Sequence, residues 1–455
     1  MKFYLTSLAI FVSFITISQT LQISQDGHRL INKDGTAFFY MADTAWELLH
    51  RLSKKETELY LKDRKARGFN VIQTVILAEE DGLKIPNDEG ALPLFNMDPT
   101  KPNPKYFKHV DWVLKKADEL GLYIALLPTW GDKFNLKWGK GPVIFTNEKK
   151  ARSYGEYIGK RYKNQPNIIW VLGGDREPET ELQMKVVKAM AEGLNAKDKN
   201  KHLITYHMGG SSGKHFHYDK WLDFNMNATG HGEKNLPVYK IMTDDYNRIP
   251  AKPSLNGEAC YEDIPVNYNS INGRFYDYDV RQAGYWSVLA GALGYAYGNN
   301  NIWQMINDDL KGFFPTEPWY DALKSRGATQ MGYLRKLFES RPFLKMIPDQ
   351  DILAKVFGQD KDMIRAAHGK EGSFAIIYTS FGNPIHIKME KLKAVMIRGY
   401  WFNPREGNSI AIAAFKNTQK VKAFVPPSSG IMTDWILVLD DQSKNYPDPA
   451  TFSVK

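Results

Sequence analysis

Short apolar segments alternate with longer amphipathic segments from about residue 22 to residue 340. Eight apolar segments begin near Phe38, Val71, Tyr123, Ile168, Leu203, Leu222, Pro253 and Leu293. Helical periodicity covers 54–67, 106–120, 148–162, 179–194, 277–289 and 320–337. Buried parallel strands are short apolar runs, and strands that alternate with helices at this spacing are joined by crossovers. The pattern therefore predicts an α/β fold, and eight repeats favour closure into a (β/α)8 TIM barrel.

The turn after the first strand argues against a nucleotide-binding sheet. A doubly wound fold places a glycine-rich phosphate-binding turn at this point. Here the segment is Ala42-Asp43-Thr44-Ala45-Trp46, which contains no glycine. We therefore expect neither a dinucleotide nor any other cofactor.

The pattern changes after Pro342 to short alternating strands separated by turn residues. The segments are DMIRAAHG, SFAIIYTS, AVMIRGYWFNP, AIAAF, KAFVPP and DWILVLDD. Several short strands at regular spacing are typical of a sandwich of antiparallel sheets. The expected organisation is a signal peptide at 1–20, a catalytic barrel at 21–341 and a C-terminal antiparallel β-sandwich at 342–455.

The first residues indicate export. Met1-Lys2 is followed by an apolar stretch from Phe3 to Ile17 and by Ser18-Gln19-Thr20, a pattern similar to that of a secretory signal peptide. No later segment has about 18 uninterrupted apolar residues, so no membrane span is expected. We therefore expect a periplasmic or secreted protein. Its single cysteine, Cys260, excludes an intramolecular disulfide.

The charge of the chain adds a weak indication about its partner. The formal net charge is +9, but lysine and arginine are scattered among acidic residues without a basic tract. Nucleic acid is therefore not expected, whereas an acidic polysaccharide is compatible with this charge.

Two carboxylates follow apolar segments and carry the main functional hypothesis. Gly173-Gly174-Asp175 follows the fourth predicted strand, and Gly257-Glu258 follows the seventh. Catalytic residues of a TIM barrel lie at the carboxyl ends of its strands. Glycoside hydrolysis needs one carboxyl group to protonate the leaving oxygen and another to attack or stabilise the sugar. The structural alternatives are a helix N-cap for Asp175 and a buried ion pair with an arginine for Glu258.

Aromatic and polar side chains near the predicted strand ends are candidates for sugar binding. Aromatic faces stack on the apolar faces of sugars, and polar groups orient the hydroxyls. The candidates are Asp43, Trp46, Trp130, His207, Tyr261, Tyr297, Asn299 and Trp303. Further acids could be confused with the catalytic pair or bind hydroxyls, namely Glu79, Glu80, Asp81, Glu177, Glu262 and Asp263.

A metal site and a serine hydrolase site are both poorly supported. His215, His217 and His231 lie in one polar segment, but no His-Glu-x-x-His motif or cysteine cluster accompanies them. No Gly-x-Ser-x-Gly motif follows a predicted strand. We therefore expect no metal in the reaction.

Five motifs together resemble the apiosidase-like glycoside hydrolases of family 140. They are MADTAWELLHRL, IIWVLGGD, NGEACYED, GALGYAYGNNNIW and DWILVLDD, and the resemblance covers nearly the whole chain after residue 20. It implies an acid/base at Asp175, a nucleophile at Glu258, and cleavage of the apiose–galacturonic acid linkage in the pectin rhamnogalacturonan II. Some relatives carry a collagen-binding label on the C-terminal domain.

One departure from retaining barrel hydrolases leaves the stereochemistry open. Their fourth strand usually ends in Asn-Glu, whereas this one ends in Gly-Gly-Asp, and the shorter side chain requires a closer substrate. Retention is the preferred interpretation. The alternatives are another specificity on the same barrel, for example an arabinofuranosidase, or a non-catalytic protein that binds carbohydrate or matrix. The non-catalytic alternative predicts that the two acids are exposed or far apart.

Overall fold

The computed structural model describes residues 21–453 except 200, 311, 356, 357 and 359. The predicted signal peptide lies outside the described residues. Eight parallel strands form one sheet: β1 (Tyr40–Thr44), β2 (Val71–Leu77), β3 (Tyr123–Thr129), β4 (Ile168–Gly173), β5 (Ile204–His207), β6 (Asn225–Ala228), β7 (Ser254–Glu258) and β8 (Gly294–Tyr297). Their hydrogen-bonded order is β6-β7-β8-β1-β2-β3-β4-β5.

The sheet curls until β5 and β6 meet. The backbone N–H of Asp223 donates to the carbonyl of Ile204 at 2.8 Å, and Gly209 forms a parallel bridge with Ala228. The Oγ1 of Thr205 donates to the carbonyl of Phe224 at 2.6 Å. These contacts close the ring, so the predicted TIM barrel is confirmed.

Seven helices of nine residues or more surround the barrel in the described part of the chain. They are α1 (Lys54–Ala66), α2 (Pro104–Glu119), α3 (Glu148–Tyr162), α4 (Glu181–Asp198), α5 (Val238–Tyr246), α6 (Asp277–Leu289) and α7 (Arg326–Glu339). The sequence pattern did not predict α5. It also started the last helix too early, because Trp319–Ala322 is a separate short helix.

Both faces of the barrel strands are buried. Val71 and Val75 point into the barrel, whereas Ile72 and Ile76 pack against the surrounding helices. This alternation explains why β2 is a continuous apolar segment. A small antiparallel sheet of Gln22–Ile23, Leu30–Ile31 and Ala37–Phe38 precedes β1.

The C-terminal domain has two antiparallel sheets of unequal size. Six strands pair in the order Met346–Pro348, Arg365–Gly369, Phe374–Thr379, Trp435–Asp441, Met396–Asn403 and Asn408–Lys416. A second sheet pairs Ile385–Lys388 with Val421–Phe424.

The larger sheet packs on both of its faces. Ala375 and Ile377 contact the two-stranded sheet, whereas Ile376 and Tyr378 face the barrel. Tyr378 stacks on Tyr285 of α6 with the ring centroids 5.0 Å apart. The sandwich therefore packs against the barrel through an apolar interface.

Candidate active site

Asp175 stands on a sharp turn that requires glycine at the two preceding positions. Gly173 and Gly174 have φ angles of 93° and 89°, and Asp175 itself has a φ of 60°. A Cβ at Gly173 would lie 2.2 Å from the carbonyl oxygen of His207, and one at Gly174 would lie 2.7 Å from the backbone nitrogen of Gly131. The two glycines therefore let the chain pass between the ends of β3 and β5, and left-handed backbone at a non-glycine residue is common at functional sites.

The alternative role of Asp175 as a helix N-cap is wrong. Helix α4 begins at Glu181, and the side chain of Thr180 caps it by accepting from the backbone N–H of Gln183. The Asp175 side chain keeps about a third of its surface exposed. Its Oδ2 instead lies 3.3 Å from Nη1 of the buried Arg176.

Glu258 is the last residue of β7 and lies between two histidines. Its Oε1 lies 3.1 Å from Nε2 of His231. Its Oε2 lies 2.8 Å from Nε2 of His207, off the line of an ideal hydrogen bond. The alternative of an ion pair with an arginine is therefore wrong, because these contacts come from imidazoles.

The hydrogen bonds on the far side of each imidazole assign its tautomer. Nδ1 of His207 accepts the backbone N–H of Asp175 at 3.0 Å. Nδ1 of His231 accepts the backbone N–H of Tyr261 at 3.3 Å. An Nδ1 that accepts carries no proton, so each neutral ring has its proton on Nε2, which faces Glu258.

The two acids have opposite electrostatic environments. Burial and the negative charge of Glu258 raise the pKa of Asp175 to about 6, although His207 and Arg176 lower it. Burial also raises the pKa of Glu258, but His207 and His231 outweigh it and hold that pKa at about 2. One protonated and one ionised carboxyl group at mildly acidic pH is the state that an acid and a nucleophile require.

Both acids line one cavity of about 610 Å³ at the carboxyl ends of the strands. The wall is formed by aromatic, acidic and a few other side chains. It comprises Trp46, Glu79, Glu80, Trp130, Trp138, Gly139, Lys140, Asp175, His231, Glu258, Tyr261, Ile264, Tyr268, Trp303 and Phe313. An aromatic cavity with a few converging polar groups suits a sugar.

Four of the predicted sugar-binding residues lie in this wall: Trp46, Trp130, Tyr261 and Trp303. The ring centroids of Trp46 and Trp130 are 5.2 Å apart, and the ring of His207 lies 5.4 Å from that of Trp46. Nε1 of Trp46 donates to the hydroxyl of Tyr261 at 3.1 Å. His207 is fully buried, so it positions Glu258 and Asp175 from behind the wall.

Three predicted sugar-binding residues do not line the cavity. The hydroxyl of Tyr60 donates to Asp43 at 2.7 Å, and the hydroxyl of Tyr297 donates to Glu262 at 2.6 Å. Oδ1 of Asn299 caps the short helix Asn300–Trp303. All three side chains are fully buried in these structural contacts.

The remaining acids divide between the cavity and the rest of the barrel. Glu79 and Glu80 line the cavity, which is consistent with the alternative that these acids bind sugar hydroxyls. Glu177 instead contacts Lys214 at 3.1 Å and His215 at 2.6 Å. Burial raises the pKa of Glu262 to about 7, although the hydroxyl of Tyr297 lowers it.

The structure adds residues that were not among the sequence candidates for substrate binding. His231 follows β6 by three residues, so its strand-end position was a usable signal, but it was weighed only as a metal ligand. Trp138, Tyr268 and Phe313 line the cavity from the segments that follow the strands, with Tyr268 at the end of the short 3-10 helix Val266–Tyr268. The ring centroids of Tyr268 and Phe313 are 5.5 Å apart.

The three histidines weighed as metal ligands are separated in the fold. His217 contacts Asn225 and the carbonyl of Pro250, whereas His215 contacts Glu177 and His231 contacts Glu258. Within the described residues, no group of three or more His, Cys, Asp or Glu side chains is placed to hold a metal ion. No helix in the same part of the chain has the length and apolar character of a membrane span.

A TIM barrel with two carboxyl groups of opposite pKa shift in one aromatic cavity has the arrangement that glycoside hydrolysis requires. Residues 24–345 match the family "Apiosidase-like, catalytic domain", and the chain belongs to that family. Residues 347–440 match "Putative collagen-binding domain of a collagenase". The resemblance inferred from the motifs is confirmed.

Two solved structures share both the sequence and the fold of this chain. One is described as a glycoside hydrolase, with 30% identity, a TM-score of 0.86, and coverage of 94% of this chain and 98% of the other. The second is a glycoside hydrolase family 5 protein from Bacteroides vulgatus, with 30% identity, a TM-score of 0.86 and 96% coverage of each chain. No curated protein matches the chain significantly. The protein is a glycosidase.

Proposed function

We propose that this glycosidase cleaves the bond between apiose and galacturonic acid in rhamnogalacturonan II, with Asp175 as acid/base and Glu258 as nucleophile. The observation that carries the catalytic assignment is the opposite pKa shift of the two acids in one cavity. The family description supports the sugar specificity. Export to the periplasm or the medium, from the pattern of residues 1–20, belongs to the same proposal.

The proposed reaction retains the anomeric configuration and proceeds in two steps. Asp175 donates its proton to the glycosidic oxygen while a carboxylate oxygen of Glu258 attacks the anomeric carbon, so that the leaving sugar departs as an alcohol. Asp175 then takes a proton from water, whose oxygen attacks the anomeric carbon and releases Glu258. Each step restores the protonation state that the next one needs.

The cavity offers one lysine for an acidic substrate. Nζ of Lys140 lies 3.0 Å from Glu80 and 2.8 Å from Asp81 at the cavity wall. The side chain is about half exposed, so a uronate can approach it from solvent. A carboxylate on the substrate would compete with Glu80 and Asp81 for this ammonium group.

The non-catalytic alternative does not fit the positions of the acids. It predicts that Asp175 and Glu258 are exposed or far apart. Instead they line the same cavity, and the charge of Glu258 contributes to the raised pKa of Asp175. The ends of β4, β5 and β7 place Asp175, His207 and Glu258 side by side.

A screen of the purified protein against rhamnogalacturonan II fragments tests the proposal. Mass spectrometry should identify a product that ends in apiose, and Glu258→Gln should reduce its release by several orders of magnitude without a change in thermal stability. Glu177→Gln is the matched control, because Glu177 contacts Lys214 and His215 outside the cavity. Release of arabinose without any apiose product would contradict the specificity.

The anomeric form of the first product tests the stereochemistry separately. Proton NMR during the first minutes of hydrolysis should show the configuration of the substrate. The opposite configuration would assign Glu258 as a base that activates water.

A further inference from the structure

The proposed roles of the two acids determine how the substrate is oriented in the cavity. The nucleophile must reach the anomeric carbon, and the acid must reach the oxygen that joins this carbon to the leaving sugar. The sugar that is attacked therefore lies against Glu258, and the leaving sugar lies on the side of Asp175. Arg176, which follows Asp175, contacts Trp138 and is 3.9 Å from Glu79, and both of these residues line the cavity.

Trp138 presents a broad apolar surface on the side of Asp175. Its side chain lines the cavity, and the residue is 49% exposed. The guanidinium of Arg176 lies 3.7 Å from the centre of its ring. Nη2 of Arg176 also donates to the carbonyl of Trp138 at 2.7 Å, while Nη1 lies 3.3 Å from Oδ2 of Asp175. Arg176 therefore ties the indole to the acid.

The loop that carries Trp138 is fixed at two further points. The backbone N–H of Gly141 donates to Oδ2 of Asp132 at 2.8 Å, and Nδ2 of Asn135 donates to the carbonyl of Glu177 at 2.9 Å. Gly139 packs so closely that a Cβ there would lie 3.0 Å from the Cβ of Asp132. A loop held in this way can bind a sugar without a large loss of conformational entropy.

Glu79 supplies a polar group on the same side. Its nearest cation is Nη2 of Arg176 at 3.9 Å, beyond hydrogen-bond distance, and its carboxyl group has no hydrogen-bond partner among the described residues. Burial and the charges of Asp132 and Asp175 raise the pKa of Glu79 well above its usual value. A protonated carboxyl group can donate to one hydroxyl and accept from another.

We propose that Trp138 and Glu79 form the binding site for the leaving sugar, with Arg176 as the residue that positions the indole. This inference rests on the proposed role of Asp175 as the acid. The ligand is a sugar ring with one apolar C–H face, which stacks on the indole, and at least one hydroxyl, which bonds to the carboxyl group of Glu79. Stacking of this kind gives affinity and orientation together.

Two substrates that share the attacked sugar but differ in the leaving group test the site. The first is the oligosaccharide with its natural leaving sugar, and the second is the methyl glycoside, whose leaving alcohol still needs a proton from the acid but has no ring to stack. Trp138→Ala should reduce kcat/KM by about tenfold more on the oligosaccharide than on the methyl glycoside, which corresponds to about 1.4 kcal/mol of selective binding. Equal losses on the two substrates would overturn the site.

A second pair of variants tests Glu79. Glu79→Gln keeps a donor and an acceptor, so it should preserve the ratio of kcat/KM between the two substrates better than Glu79→Ala. Tyr218→Ala is the control, because Tyr218 is an exposed aromatic side chain that does not line the cavity. It should leave the ratio unchanged. A ratio that changes with Phe313→Ala but not with Trp138→Ala would place the leaving sugar elsewhere.

A binding measurement separates this inference from the proposed function. Calorimetric titration of Glu258→Gln with digalacturonic acid should show about tenfold weaker binding when Trp138→Ala is added. Binding that depends on Trp138 in a protein that releases no apiose would leave the site intact and remove the apiosidase proposal. Release of apiose with no dependence of binding or of the kcat/KM ratio on Trp138 would do the reverse. Thermal melting of each variant controls for folding.

Discussion

The backbone N–H of Asp175 donates a hydrogen bond to Nδ1 of His207, and the same ring contacts Glu258, so His207 links the two residues proposed as acid/base and nucleophile. Because the bond occupies Nδ1, the other ring nitrogen of His207 carries the proton and lies 2.8 Å from Glu258. The turn that presents Asp175 therefore also sets the tautomer of the histidine beside Glu258. A change in this turn is expected to affect both carboxyl groups.

Asp175→Asn tests the role of the acid through the leaving group. The amide cannot donate a catalytic proton, so kcat/KM on the natural linkage should fall by about 10²–10⁴-fold. Activated aryl glycosides depart with less help from an acid, and their first step should lose much less. Kinetics on both substrates, with thermal melting as the folding control, checks this prediction. Equal losses on both would show that Asp175 has another role.

The pH profile of kcat/KM should have its basic limb near the pKa of Asp175. Burial and the charge of Glu258 raise this pKa to about 6, and the acid works only when it is protonated. Activity should therefore fall as pH rises through about 6. Glu258 works when it is ionised and has a pKa of about 2, so its acidic limb should lie below the range in which most proteins stay folded. Rates measured from pH 4 to 9 test this, and a basic limb above pH 8 would contradict it.

The barrel and both acids could be predicted from the sequence because strand ends are marked by local signals. The apolar run of β4 and the Gly-Gly pair after it fix where Asp175 emerges. Asp43 and Tyr297 were predicted to bind sugar but do not line the cavity, for the opposite reason. Both faces of these strands are buried, so the sequence does not show which residue points inward, and a shift of one position directs the side chain to the helices.

The aromatic residues that line the cavity beyond the strand ends could not be predicted, because tertiary contacts place them. Trp138 lies on the loop after β3, and Arg176, which follows β4, holds it at the cavity wall by a hydrogen bond to its carbonyl and a contact with its ring. Tyr268 and Phe313 come from different loops and meet only in the folded protein. No local spacing in the sequence records these contacts.

His231→Ala tests the histidine that the sequence interpretation did not assign to the site. The change removes one imidazole N–H from Glu258, so the pKa of this carboxyl group should rise toward its usual value. The acidic limb should move to higher pH, and kcat/KM should fall by about tenfold. His215→Ala is the control, since His215 contacts Glu177 away from the cavity.

The effect of His231→Ala must appear as a shift of the acidic limb in the pH profile of kcat/KM, and not only as a lower rate. A lower rate at all pH values with an unmoved acidic limb would show that His231 affects packing and not the charge of Glu258. His231→Asn retains a side-chain N–H donor, and partial recovery of the wild-type limb would support the assignment.

Arg281→Ala tests whether the C-terminal domain supports the barrel. Nε and Nη2 of Arg281, on α6, donate to the two carboxylate oxygens of Asp434 at 3.0 and 2.9 Å. Both side chains are buried, so the change leaves a buried carboxylate without its main partner and should cost about 3–5 kcal/mol. Denaturant unfolding measures the loss.

A matched surface pair separates burial from charge in this last prediction. Arg161 pairs with Asp111 at 2.6 Å, but both side chains are partly exposed. Arg161→Ala should therefore cost about 0–1 kcal/mol. The turnover of each folded molecule should be unchanged in both variants, since neither pair lines the cavity. If Arg281→Ala reduced turnover without reducing stability, the C-terminal domain would have a part in the reaction beyond support. Unfolding could not then explain the lost turnover, and the contact between the two domains, where Tyr378 stacks on Tyr285, would have to affect the active site.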